Sequence, residues 1–138
     1  MLRRSIMIKV NVVSNDSKKV AKVVIIDDSG SVLMLKRSNY MDKFAGEWDL
    51  PGGHIRIGED FEIGMKREVK EETNLDISGF KFVDKIDNLN FYYSDYNNAP
   101  IKISHEHTGF RFFRKEDLDP NKKFDKIALR AMEMKKND

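Results

Sequence analysis

The 138-residue chain contains no cysteine, which excludes disulfides, thiolate zinc sites and cysteine nucleophiles. Long apolar runs are missing too. None approaches the ~20 residues that span a bilayer. The opening MLRRSIMIKVNVV begins as an export signal does, but Lys9 and Asn11 interrupt its apolar stretch too early. The expectation is a cytoplasmic protein with no membrane partner. Charge of one sign is nearly absent in net terms: 25 Lys and Arg against 23 Asp and Glu leave +2, too little to imply general nucleic-acid binding. There is no internal repeat and no low-complexity linker. The phosphate-binding patterns G-x-x-x-x-G-K-[ST] and G-x-G-x-x-G are absent, as is the G-x-S-x-G nucleophile elbow. Any phosphate chemistry must use another device.

What is present reads as one globular domain over 1–138. Apolar residues make up 40% and charged residues 35%, enough to build a core and solvate a surface. Strands are expected at 20–26, 31–36, 48–50, 77–86, 89–93 and 101–113, with a turn at Asp28-Ser29-Gly30 and a polar loop at 39–46. A helix is expected from Glu59 to Thr73, stopped by Asn74, a residue that tolerates the left-handed conformation. A second helix is expected at 123–134, with Phe124, Ile127, Ala128, Ala131 and Met134 as its buried side. Strands with two helices set among them give an α/β or α+β class with a mixed sheet.

Within the first helix, REVKEET places Glu68, Glu71 and Glu72 on one arc, with Glu72 about 40° to one side of Glu68 and Glu71 about 60° to the other at ~100° per residue. Like charges so close destabilise a helix by a few tenths of a kcal/mol each. A hard cation such as Mg²⁺ or Mn²⁺ would turn that repulsion into attraction, because it takes oxygen ligands and bridges substrate phosphates. Upstream, WDLPGGHIRIGE supplies a strand, a Gly-Gly turn with no side chain in the way of a close approach, and Glu59 at the helix start. Gly53, five residues, Glu59, seven residues, Arg67-Glu68, Val69, Lys70, Glu71-Glu72, Thr73, Asn74, Leu75 resembles the box of the Nudix hydrolase family. Six of the seven fixed identities and both apolar positions match; the one departure is Asn74, where that pattern has Gly.

The resemblance implies an α/β/α sandwich around a mixed sheet. It implies Glu68, Glu71, Glu72 and the Gly52 carbonyl as ligands of Mg²⁺ or Mn²⁺, and an ion pair of Glu59 with Arg67 that holds the loop to the helix. A further Glu from a later loop often joins the metals or acts as general base in this family, and Glu106 is the candidate by position. Arg37, Arg56 and His54 are candidates for phosphate contacts, against surface or plain loop roles; Arg56 stands where many relatives carry an acidic residue. His105 and His107, as strand neighbours of Glu106, point away from it and are read as polar or packing residues. Phe91, Tyr92, Tyr93 and Tyr96 are read as core or cross-strand partners ahead of base-stacking residues. The basic run 122–136 is read as the solvated side of the last helix.

Two function classes follow. One is a metal-dependent pyrophosphohydrolase acting on a nucleoside diphosphate linked to another group. The other is a nucleotide-binding or regulatory domain that has lost turnover. The carboxylates that turnover needs are all present, which favours the first. The partner is then a small nucleotide, with capped or triphosphorylated RNA open among relatives' substrates; its identity rests on loops at 38–47 and 87–100. Monomer and homodimer both stay open.

Overall fold

The computed structural model describes residues 19–40 and 44–138. The signal-like opening lies outside the described residues, as does the middle of the polar loop. The strands are β1 (Val20–Ile26), β2 (Val32–Arg37), β3 (Trp48–Asp49), β4 (Gly52–His54), β5 (Lys81–Ile86), β6 (Leu89–Asp95) and β7 (His107–Phe113), and the helices are α1 (Phe61–Thr73) and α2 (Lys123–Lys136). One mixed sheet holds all seven strands in the order β3-β2-β1-β6-β5, with β4 also on β1 and β7 also on β2. β1 and β6 run parallel; the other pairs are antiparallel.

β1 organises the molecule because its β-branched run is apolar on both faces. Ala21, Val23 and Ile25 join Leu33, Leu35, Met65, Val69 and Leu75 on the α1 side. Val24 and Ile26 join Val32, Met34, Phe91, Ile127, Ala128 and Ala131 on the α2 side. The result is the expected sandwich, a sheet between two helices. α2 buries Ile127, Ala128 and Ala131, and Phe124 and Met134 pack beside them.

β1 and β2 meet only at Ile26 and Val32, beyond a turn in which the Asp27 carboxylate accepts from the Ser29 and Ser31 N–H groups. Past that point the two strands diverge. β4 pairs with the start of β1, and β3 with the end of β2. The opening between them is where the site forms.

Several expectations need correction. Residues 77–80 form no strand: Gly79 sits at φ +77°, and only Lys81–Ile86 joins the ladder, although Ile77 is fully buried. The strand expected at 101–113 starts at His107, because the preceding backbone is spent on α1: Lys102 N–H donates to the Thr73 carbonyl and Ser104 N–H to that of Glu72. Gly52-Gly53-His54 is a strand as well as a turn. α1 begins after Asp60, whose carboxylate caps the Glu62 and Ile63 N–H groups, later than expected. The stop at Asn74 is as expected, with φ +66°, ψ +14° and its N–H on the Lys70 carbonyl.

Candidate functional site

The last two turns of α1 lie over β4. Gly52 N–H donates to Glu72 Oε1 at 2.9 Å. A Cβ placed on Gly53 would stand 2.2 Å from Glu68 Oε1, so the carboxylate occupies the room that glycine leaves. Gly52 is glycine for a second reason: its φ is +136°, and a Cβ there would stand 2.1 Å from the Ala21 carbonyl oxygen. Two carboxylates thus converge on one glycine turn.

Arg67 holds the surrounding frame. It grips Glu59 with two nitrogens at 2.9 and 3.1 Å and also donates to the His54 carbonyl. Glu59 Oε1 accepts from the Arg56 N–H too. The hydrogen bond from Arg67, with help from that of Arg56, lowers the Glu59 carboxyl pKa to about 2. The third Arg67 nitrogen, Nη1, lies 2.7 Å from Glu68 Oε2 and 3.8 Å from Glu71 Oε1.

Glu72 is different. Only 8% of the residue is exposed, and burial pushes its carboxyl up to about 8 despite Lys22 and the Gly52 N–H, with Asp49 and Glu68 adding to the rise. A buried acid among acids is short of positive charge. Its hard oxygens, and those of Glu68 across the glycine cradle, fit Mg²⁺ or Mn²⁺.

The full ligand set expected from the sequence is not gathered as a preformed centre: among the described residues, no three His, Asp or Glu side chains are grouped so as to hold a metal ion. Arg67 draws on Glu68, and Glu71 leans outward with 58% of its side chain exposed. Glu106 sits in the turn before β7, where its carbonyl accepts from Ser38 N–H; the Ser104 bond to Glu72 brings that turn to the end of α1. His54 and Arg56 are exposed and serve the Glu59–Arg67 frame through backbone atoms. Arg37 turns inward, with Nη1 3.4 Å from Asp49 Oδ2.

Asp49 is a site residue that the sequence reading misses, though an acid inside the apolar stretch WDLP is a signal. The residue is 5% exposed, and Oδ2 accepts from both Lys22 Nζ at 3.2 Å and Arg37. His107 opens β7 and is also 5% exposed, whereas His105 lies in the exposed turn. Burial lowers the His107 pKa. Asp49 Oδ1 and both His107 ring nitrogens are buried without a partner among the described residues, at a cost of about 1–3 kcal/mol for each such group. Phe91, Tyr92 and Tyr96 make ring contacts with Phe124, Phe61 and Phe112, and Tyr93 is buried, as expected of packing residues.

The sequence matches the NUDIX domain over residues 16–133. It is 26% identical over 113 residues to the nucleoside triphosphatase NudI of Escherichia coli, covering 68% of this chain and 80% of that protein. Identity rises to 43% with an ADP-ribose pyrophosphatase of Methanocaldococcus jannaschii, over 51 residues that span 37% of this chain and 29% of the relative. A solved MutT protein from Methanosarcina mazei Go1 superposes with a TM-score of 0.65 at 26% identity, covering 86% of this chain and 94% of its own. Among the described residues, no helix is long and apolar enough to cross a membrane.

Proposed function

Because the chain belongs to the Nudix family of hydrolases, we propose that it is a divalent-metal-dependent pyrophosphohydrolase acting on a nucleoside diphosphate linked to a further group. The observation that carries this reading is the convergence of Glu68 and Glu72 on the Gly52-Gly53 turn. Mg²⁺ or Mn²⁺ bound there would neutralise charge that builds on the diphosphate as a P–O bond breaks. Glu68, Glu72, the Gly52 carbonyl and, after a side-chain rotation, Glu71 are the groups to hold it. Arg67 keeps Glu68 aimed at the turn while Glu59 anchors Arg67. Glu106 takes a proton from the attacking water, whose oxygen bonds to phosphorus as the bridging oxygen leaves with the other product. The relatives named as a nucleoside triphosphatase and an ADP-ribose pyrophosphatase support nucleoside triphosphates and ADP-ribose as candidate substrates.

A panel of nucleoside triphosphates, ADP-ribose, dinucleotides and nucleotide sugars, assayed with Mg²⁺ and Mn²⁺ and read by product mass, tests this. EDTA should abolish turnover, and Glu68→Gln should lower it at least about a hundredfold. Glu106→Gln should depress kcat more than KM and resist rescue by Mn²⁺. Micromolar binding with no cleavage across the panel would instead mark a silent nucleotide-binding domain.

A further inference from the structure

Asp49 Oδ1 and the two ring nitrogens of His107 are polar, buried and without a partner among the described residues, and the hydrolytic scheme uses none of them. Both residues flank β2: Asp49 is registered with Leu35 on one side, and His107 with Arg37 on the other. They are close enough for the Asp49 charge to act on the imidazole. Lys22 and Arg37 both hold Asp49 Oδ2, which leaves Oδ1 as an acceptor. A neutral imidazole offers one N–H donor and one bare nitrogen. At its other end the group reaches the carboxylate site, since Lys22 and Asp49 both act on Glu72.

The segment 38–40 runs alongside the turn before β7, fastened to it by Ser38 N–H on the Glu106 carbonyl and by the Tyr40 hydroxyl on the His105 carbonyl. Tyr40 is 67% exposed, an aromatic face with no burial to explain it. A flat apolar surface beside a buried acceptor and donor is what recognition of a heteroaromatic edge requires.

We infer that Asp49, His107 and Tyr40 form a nucleobase subsite. Asp49 Oδ1 accepts an N–H from the base edge, His107 donates to the neighbouring acceptor on that edge, and Tyr40 stacks on the ring. The edge reaches Asp49 and His107 when the segment 38–40 releases its two bonds to the turn. For its nucleotide ligand this rests on the hydrolase reading above.

The test compares ATP and GTP with purine riboside triphosphate, which has the same ring and phosphates but no exocyclic group. Wild-type kcat/KM should favour ATP or GTP by at least about tenfold, because a buried acceptor left unmatched penalises the bare analogue. Asp49→Asn should shrink that ratio toward one. Tyr40→Ala should raise KM for all three at least about fivefold through lost stacking, with kcat held. If Asp49→Asn does not fold, His107→Asn is read for the same ratio. An equal loss on all three nucleotides would make Asp49 and His107 a structural charge network and overturn the subsite. So would a wild-type enzyme indifferent to the edge, or an unmoved KM in Tyr40→Ala. If the wild type cleaves none of the three, the hydrolase reading is judged separately on the wider substrate panel above. The base preference is then read from calorimetric affinities of the same nucleotides.

Discussion

Replacing Glu72 with Gln should abolish a pH dependence of stability that the buried carboxyl creates in the metal-free protein. In the folded chain Glu72 holds its proton up to about pH 8, against an ordinary value of 4.5. Below pH 4.5 the folded and unfolded states are both protonated, and Glu72 contributes no slope. Between 4.5 and 8 the unfolded chain has lost the proton and the folded one keeps it, so folding binds a proton and stability falls as pH rises. Each pH unit in that window costs about 1.4 kcal/mol, giving a ceiling of ~5 kcal/mol. Water reaching an ionised Glu72 would reduce this, so a loss of about 2 kcal/mol or more is the expected reading. Urea unfolding in EDTA at half-unit steps from about pH 5 to about pH 8 measures it. The Glu72→Gln side chain should keep the hydrogen bond from Gly52 N–H while removing the titration, so the variant should be flatter than wild type across the window. Added Mg²⁺ should flatten the wild-type profile as well, because a cation competes with the proton. A wild-type protein equally stable at both ends of that range in EDTA, or one that gains stability on going up, would refute the reasoning.

Two further substitutions separate fold from chemistry around the same turn. Gly52→Ala meets the Ala21 carbonyl at 2.1 Å with φ at +136° and should cost at least about 2 kcal/mol in urea unfolding. Gly53→Ala meets only the movable end of Glu68, so it should leave stability within about 1 kcal/mol and weaken apparent metal affinity at least about tenfold. Equal destabilisation by the two would show that Glu68 is not free to give way. Asn74→Gly should raise Tm by about 3 °C without changing kcat beyond about twofold, because a left-handed φ of +66° strains Asn and not Gly. Asn74→Val should destabilise clearly, and a fall in Tm for the glycine variant would assign the Asn side chain a role of its own.

Legibility followed locality. The helix carrying the glutamates can be read because its start, its acidic arc and its stop lie within one stretch, and the two core faces of β1 follow from an unbroken β-branched run. The strand starting at His107 is expected too early because 101–106 look like strand residues. Their backbone is taken instead by α1 carbonyls far earlier in the chain, a competition that local pattern does not record. The pairing of Glu59 with Arg67 is legible by resemblance. The grip of Arg67 on Glu68, and the outward lean of Glu71, depend on side-chain rotamers that sequence spacing leaves open. Asp49 and His107 come from strands distant in the chain, and only the ladder through β2 brings them to one place.

The bonds from Lys102 and Ser104 to the last carbonyls of α1 also set where the molecule can open piecemeal. Cooperative units usually follow helices and strands, yet here an irregular segment is stitched to a helix terminus at 2.9 and 3.2 Å. The amides of Lys102 and Ser104 should therefore exchange with solvent at the pace of the final turn of α1 and not at that of a surface loop. When that turn frays, Glu72 loses its scaffold and the tether on the Glu106 turn goes slack in the same event. The two ends of the proposed site then come apart together, so a population with one intact and the other undone has little place in the native ensemble.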